Sequence, residues 1–267
     1  MKLISRVASY FKLPQLSYRV WKVWMRDRDV FLKTYKVNFL PPLIEPVFYL
    51  VALGYGLGQF VQPIQGMPYV QFIAPALVAI PMMYSSFFEC TYGSFVRMYY
   101  QKTFDGIIAT PVSLEEVICG ELLWGATRSV INSTIVLVIV AAFGLVASPL
   151  VVFVPFVSFL VGLLFSAIAM CFTAIAPNID FFNYPAFLFI TPMFLLSGTF
   201  FPLSDLPLLL QNVAQAFLPL VHAVKLTRGL ALGKFDFSML FSLLWLLAVT
   251  PFFFVLSINA MKKRLIK

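Results

Sequence analysis

Charge is scarce in this sequence. Of its 267 residues only 11% are Asp, Glu, Lys or Arg, against about 25% in an ordinary soluble domain. Histidine occurs once, as His222, so His-based nucleophilic catalysis and a His-rich metal site have little support, and a local hydrogen bond is its ordinary role. The three cysteines, Cys90, Cys119 and Cys171, are odd in number, lack C-x-x-C spacing and lie in or beside apolar runs. Neither a disulfide framework nor a zinc site follows from that pattern, and they read as small apolar packing residues. The pattern G-x-x-x-x-G-K-[ST] is absent, which removes the phosphate cradle and with it ATP binding by that route. Gly54, Gly56 and Gly58 have no Lys-Ser after them; Gly54 and Gly58 instead form a small-xxx-small pair of the kind that lets helices approach closely. The first 36 residues are basic and mixed, without an apolar core and small-residue cleavage site. The first span is therefore expected to be its own insertion signal.

What is abundant is apolar surface: 61% of the residues are hydrophobic and the mean hydropathy is +0.93. A soluble fold, at roughly 45–50% apolar, could not hide that much. A helix needs about 20 largely apolar residues to cross a bilayer, and six runs qualify: 37–60, 69–92, 117–145, 150–176, 181–201 and 237–258. The expected fold class is an all-α integral membrane protein with six transmembrane helices, made of an N-terminal segment, 1–36, and a transmembrane domain, 37–267. Lys and Arg concentrate before the first span, from Lys2 and Arg6 to Lys36, and after the last, at Lys262, Lys263, Arg264 and Lys267. The positive-inside rule places both termini in the cytoplasm, together with the loop after the second span. The segment 203–236 falls outside in that scheme although it carries Lys225, Arg228 and Lys234.

Residues 14–36 read as an interfacial amphipathic helix. At 100° per residue, Arg19, Lys22, Arg26 and Lys33 project to one side and Val20, Trp24, Phe31 and Tyr35 nearly opposite, the pattern of a helix lying among lipid headgroups. The net charge of +8 is thereby explained by topology and anionic lipid, without nucleic acid.

The most informative stretch is 97–116. Thr110-Pro111 stops a short helix, and Ser113 with Glu116 forms a capping box that starts the next one. From the residues alone, this is either an ordinary loop or a short helix held between two spans for a partner. Its residues Arg97, Lys102-Thr103, Ile107-Ile108, Thr110-Pro111-Val112-Ser113, Glu116 and Gly120-Glu121 resemble the segment after the second span of ABC-2 type permeases. Two further stretches are similar to that family in the same order: 190–207, with Pro192, Phe194-Leu195-Leu196-Ser197-Gly198 and Phe201-Pro202, and 218–233, with Pro219-Leu220, His222, Arg228 and Leu232-Gly233. Within the family, residues 88–92, 120–128 and 176–182 look like the permeases that export lipo-chitooligosaccharides and their drug-exporting relatives. Position 121 departs from the wider family in being Glu rather than Lys.

The resemblance implies a coupling helix that docks on a separate nucleotide-binding subunit, with Arg97, Lys102, Thr103, Asp105, Gly106, Thr110, Pro111, Ser113 and Glu116 as its residues. It further implies a homodimer in the bacterial inner membrane, re-entrant helices between spans five and six, and a path near the first and fifth spans lined by Tyr49, Tyr55, Phe189, Met193 and Phe194. The chain itself would need no cofactor, because ATP and Mg would be bound by the partner ATPase. The substrate would be an amphipathic or lipid-linked saccharide, or another hydrophobic compound. Charges inside a span are costly and suspect as functional; here they are Glu45, Glu89 and Arg128, and a structural ion pair between Glu89 and Arg128 is as open as a substrate contact. The alternative is an intramembrane enzyme acting on lipid or glycolipid, for which Glu45 and Glu89 are the available acid pair. A secondary transporter with inverted repeats finds no internal repeat.

Overall fold

The computed structural model describes residues 12–64 and 66–266; Lys2, Arg6 and Lys267 lie outside them. Among the described residues the chain is helical, apart from one isolated bridge between Ile64 and Met67. Helix α1 (Val20–Lys33) precedes α2 (Tyr35–Gln59) and α3 (Tyr69–Tyr100), and the short α4 (Thr103–Ile108) follows. Next come α5 (Leu114–Ala142), α6 (Pro149–Ile175), α7 (Ile179–Leu196), α8 (Leu208–Phe217), α9 (Pro219–Leu232) and α10 (Phe237–Leu265). Helices α2, α3, α5, α6, α7 and α10 are each long and apolar enough to cross a membrane.

Local chemistry explains the boundaries. Ser113 accepts from the Glu116 amide while the Glu116 carboxylate accepts from the Ser113 amide, so α5 starts on the capping box read from the sequence. Ser148 caps α6 with Pro149 in its first turn, where a missing N–H costs nothing. Gly233, at φ +69°, ends α9 in the left-handed conformation that glycine adopts freely.

Four boundaries differ from the sequence reading. Helix α3 continues to Tyr100 instead of stopping near residue 92, through π-helical turns at Glu89–Gly93 and Val96–Tyr100; its charges are paired within the bundle, so nothing forces the helix to end. Helix α7 stops at Leu196, because residues 197–201 bend, with Gly198 at φ +75°. Helix α10 runs on to Leu265, carrying Lys262, Lys263 and Arg264 in its last turn. Regular α1 begins only at Val20, after irregular residues and a turn at Tyr18 and Arg19.

The core lies where α6 packs against α3, α5 and α10. Lipid tails are as apolar as the helix faces, so close fit is what holds such helices together. Gly162 of α6 shows the fit: a Cβ there would come within 3.1 Å of the Ala126 backbone in α5. Helices α8 and α9 fill the sequence between α7 and α10, and α9 packs back onto α3 and α6. The loop before α6 is tied to α9 by the Ala147 and Ser148 amides, which both donate to the Ala231 carbonyl. Helix α2 is held least: 17% of its apolar window is buried, against 72% for α3.

Helix α1 lies along α5 and buries Val20, Val23, Asp27 and Phe31. Its seat depends on Gly120, where a Cβ would stand 2.6 Å from the Val23 Cβ and 3.2 Å from the Val20 carbonyl oxygen. Gly120→Leu should therefore lift α1 from α5, at the roughly 1–3 kcal/mol typical of overpacking. A Val23→Cys reporter, protected in the parent protein, should become reactive to maleimide in the double variant. Continued protection would show that α1 is held by something other than this contact.

Candidate functional site

The residues just before α1, the end of α10 and the α3–α5 connection meet at one end of the bundle. The connection turns on Lys102, whose φ of 53° makes it a left-handed non-glycine residue, and α4 is then anchored by Phe104, which is fully buried. Thr110 donates to the Ile107 carbonyl at 2.6 Å, and Pro111 accepts from the Arg19 guanidinium at 2.6 Å. Glu116 accepts from the Ser17 amide at 3.2 Å and from the Ser17 hydroxyl. Glu115 accepts from the Gln15 amide at 2.5 Å and pairs with Lys262 of α10. Residues before α1, the α4 segment, α5 and α10 are thus joined through adjacent carboxylates.

On this segment Lys102, Asp105, Gly106, Thr110, Pro111 and Ser113 are exposed and Thr103 is half-buried. Arg97 and Glu116, which the sequence reading placed in the same docking set, do not lie on that surface. Glu116 is consumed by the cap and by Ser17. Arg97 faces inward because Glu121, fully buried, and Glu89, largely covered, lie beside it and have to be neutralised.

The Arg97 guanidinium forms two hydrogen bonds from Nε to Glu121 at 3.0 Å, a third from Nη2 at 2.5 Å, and one from Nη1 to Glu89 at 2.8 Å. Ser94 donates to Glu121 at 2.6 Å. The second Glu89 oxygen lies 3.5 Å from Arg128 Nε, and Arg128 also donates to Asn38 of α2 at 3.0 Å and covers the Phe31 ring at 4.8 Å. Glu89 and Arg128 are therefore an ion pair, as one of the two sequence readings has it. The wide turn at Glu89–Gly93 is where this cluster sits, and π turns in helices often mark functional positions.

Sequence reasoning missed two members. Glu121 stood out as a departure from the family pattern and as a charge nearer the cytoplasmic interface, yet it is fully buried and is the main partner of Arg97. Asp27 was not singled out at all, although its spacing from Val20, Val23 and Phe31 puts it in the middle of the apolar stripe of α1, where an acid is out of place. It is 3% exposed, 3.1 Å from Arg26 and 4.0 Å from Arg97.

Two cavities meet at the cluster. One of about 420 Å³ lies under α1, with Arg26, Asp27, Phe31, Tyr92, Arg97 and Trp124 in its wall. A second of about 630 Å³ lies between α2, α3 and α5, with Glu45, Pro46, Tyr49, Leu77, Tyr84 and Phe194 in its wall. Asn38, Glu89, Gly93 and Arg128 border both. Of the five residues expected along a path, Tyr49 and Phe194 face this second cavity. Tyr55 is exposed on α2, with Phe143 6.5 Å away; Phe189 packs on Phe172; and Met193 is fully buried in the core. The lone histidine is held by Ser242 and the Gln215 carbonyl and stacks on Trp245 at 4.4 Å.

Burial, reinforced by Glu121 and to a smaller extent by Glu89, outweighs Arg97 and Arg26 and pushes the Asp27 carboxyl from its ordinary 3.8 up to about 8; Arg128 of α5 completes the charged groups around it. The folded protein therefore holds a proton that the unfolded chain releases near pH 4, so stability declines as pH rises from about 4 to about 8. Asp27→Asn cannot ionise. Its melting temperature should match the parent's near pH 4 and exceed it by a few degrees near pH 8, measured on detergent-solubilised protein. An advantage that does not vary with pH would refute this account of Asp27.

Residues 18–232 match the family model described as ABC-2 type transporter. The chain is 36% identical over 256 residues to nodulation protein J of Sinorhizobium fredii, covering 95% of this chain and 97% of that one. It is 34% identical over 255 residues to nodulation protein J of Rhizobium meliloti, covering 95% and 96%. It is 23% identical over 202 residues to the inner membrane transport permease YadH of Escherichia coli, covering 76% and 78%. No solved structure matches. With a domain match over most of its length and full-length relatives above 30% identity, the chain belongs to the ABC-2 type transporter family.

Proposed function

We propose that this chain is the membrane subunit of an ATP-driven exporter, acting as a homodimer in the bacterial inner membrane with both termini in the cytoplasm. A separate ATPase docks on residues 102–113 and supplies the ATP and Mg. The N-terminal residues 1–36 form the cytoplasmic and interfacial part, and residues 37–267 the transmembrane domain. The substrate is an amphipathic or lipid-linked saccharide, taken from the cytoplasm or the inner leaflet; the similarity to lipo-oligosaccharide permeases and to proteins named for nodulation supports that choice.

The observation that carries the reading is the way α4 is held. Its outer face offers Lys102, Asp105 and Thr110 to a partner. Its inner side is fixed by Phe104, by the Arg19 bond to Pro111 and by the Ser113–Glu116 cap. A push on such an element moves α1, α3 and α5 instead of being absorbed by a slack loop. The enzyme reading loses its acid pair here, because Glu89 is committed to Arg97 and Arg128, while Glu45 lines the second cavity without a free acid beside it.

The triple change Lys102→Ala, Thr103→Ala and Asp105→Ala should lower ATPase association and ATP-driven transport about tenfold in a reconstituted complex, equivalent to losing one or two good interface contacts. Membrane insertion and dimerisation should be unaffected, as none of the three side chains is buried. Unchanged association and transport would rule out this segment as the docking element.

A further inference from the structure

Two of the intramembrane acids have basic partners: Glu121 has Arg97, and Glu89 has Arg97 and Arg128. Glu45 has neither an ion pair nor a hydrogen bond among the described residues. Helix α2 runs for 25 residues from Tyr35, which puts Glu45 about 15 Å along it and near the midplane of a hydrocarbon core about 30 Å thick. An ionisable group at that depth is costly unless it is paired, so either a proton or a cation has to meet it.

We propose that the second cavity is a binding site for a hydrophobic monovalent cation, an ammonium or phosphonium ion with alkyl or aryl groups, and that Glu45 is its counter-ion. The wall around the carboxylate is aromatic: Tyr49 follows Glu45 by one turn of α2, Tyr84 and Phe88 come from α3, and Phe194 comes from α7. Tyr84 lies 5.7 Å from Phe88 and, edge to face, 5.9 Å from Phe194, so these three rings form one group. The face of an aromatic ring attracts a cation. The same wall is rich in acceptors. Pro41, Pro42, Pro46 and Pro81 have no N–H to give the carbonyls of Val37, Asn38, Pro42 and Leu77 one turn earlier, and all four of those residues line the cavity. Arg128 is the one basic side chain in the lining, and it is held at the far end, 3.5 Å from Glu89 and 3.0 Å from Asn38. Asn38 precedes Glu45 by two turns of α2, about 10 Å, which leaves the negative charge uncompensated where the rings are. A cavity of about 630 Å³ is in the range that holds drug-sized ligands. Glu45 and Tyr49 also border a groove along Leu40, Ile44 and Phe48, a way in for an ion that partitions into the bilayer. The site goes beyond the exporter reading and does not rest on it, because binding belongs to the chain without its ATPase.

The probe is radiolabelled tetraphenylphosphonium, measured by equilibrium dialysis at one pH against the full chain in lipid nanodiscs, with empty nanodiscs subtracted. Tetraphenylborate, an anion of the same shape, is measured separately. Saturable phosphonium binding should weaken about tenfold in Glu45→Gln, which keeps the shape and removes the charge, and stay within about threefold in Glu45→Asp. It should weaken about threefold in Tyr84→Leu, the loss of one cation–π contact; this variant decides the matter should Glu45→Gln fail to fold. Tetraphenylborate should show no saturable binding. Phosphonium binding that is absent from the parent protein, or unchanged in whichever of Glu45→Gln and Tyr84→Leu fold, would leave Glu45 to a proton alone and overturn the site. Tetraphenylborate bound as tightly as the phosphonium would overturn it too, by showing a cavity that selects for shape and not for charge.

Discussion

The guanidinium of Arg97 has to neutralise two carboxylates from different helices, one fully buried and one largely covered, and the charged end of the bundle is arranged around that requirement. Glu121 is fully buried on α5 and Glu89 sits on the wide turn of α3; without Arg97 the Glu121 carboxylate would be an uncompensated charge in a low-dielectric setting, a loss of about 3–5 kcal/mol for a broken buried pair, and Glu89 would keep only Arg128. Holding Arg97 between them fixes the rotation of α3 against α5. It also forces α3 to continue as a helix past Glu89, which in turn sets where the chain leaves for α4. Arg128 then answers the second oxygen of Glu89 and reaches Asn38, bringing the start of α2 into the same network. Position, continuity and charge balance at this end are therefore one constraint.

How much of this was readable in the sequence follows from which signals are local. The six apolar runs, the cap at Ser113 and Glu116 and the stop at Thr110-Pro111 depend on neighbours within a few residues, and the helices begin and end close to them. The end of α3 was not local: Arg97 looked like a loop charge because its partner Glu121 lies 24 residues away. Asp27 was legible in principle, since Val20, Val23 and Phe31 define its face, but the basic side of the same helix dominated the pattern. The expected path residues divide for the same reason. Tyr49 and Phe194 could be placed near a cavity by their spans, but the inward turn of Met193 is set by packing between helices that no single segment records.

A second consequence follows from the uneven packing. The wall of the second cavity is built from two firm helices, α3 and α5, and one loose one, α2, which carries Pro41, Pro42 and Pro46 within its helical stretch and a π turn over Leu50–Gly56. Each proline removes a backbone donor and weakens the hydrogen-bond ladder around it, so α2 is the wall that deforms with least loss. It is also attached at one point to the charged cluster, through Asn38 and Arg128. Displacement of the α4 segment would reach α2 by way of α1, α5 and that contact, which places the most compliant wall of the cavity at the end of a chain of hydrogen-bonded and packed helices.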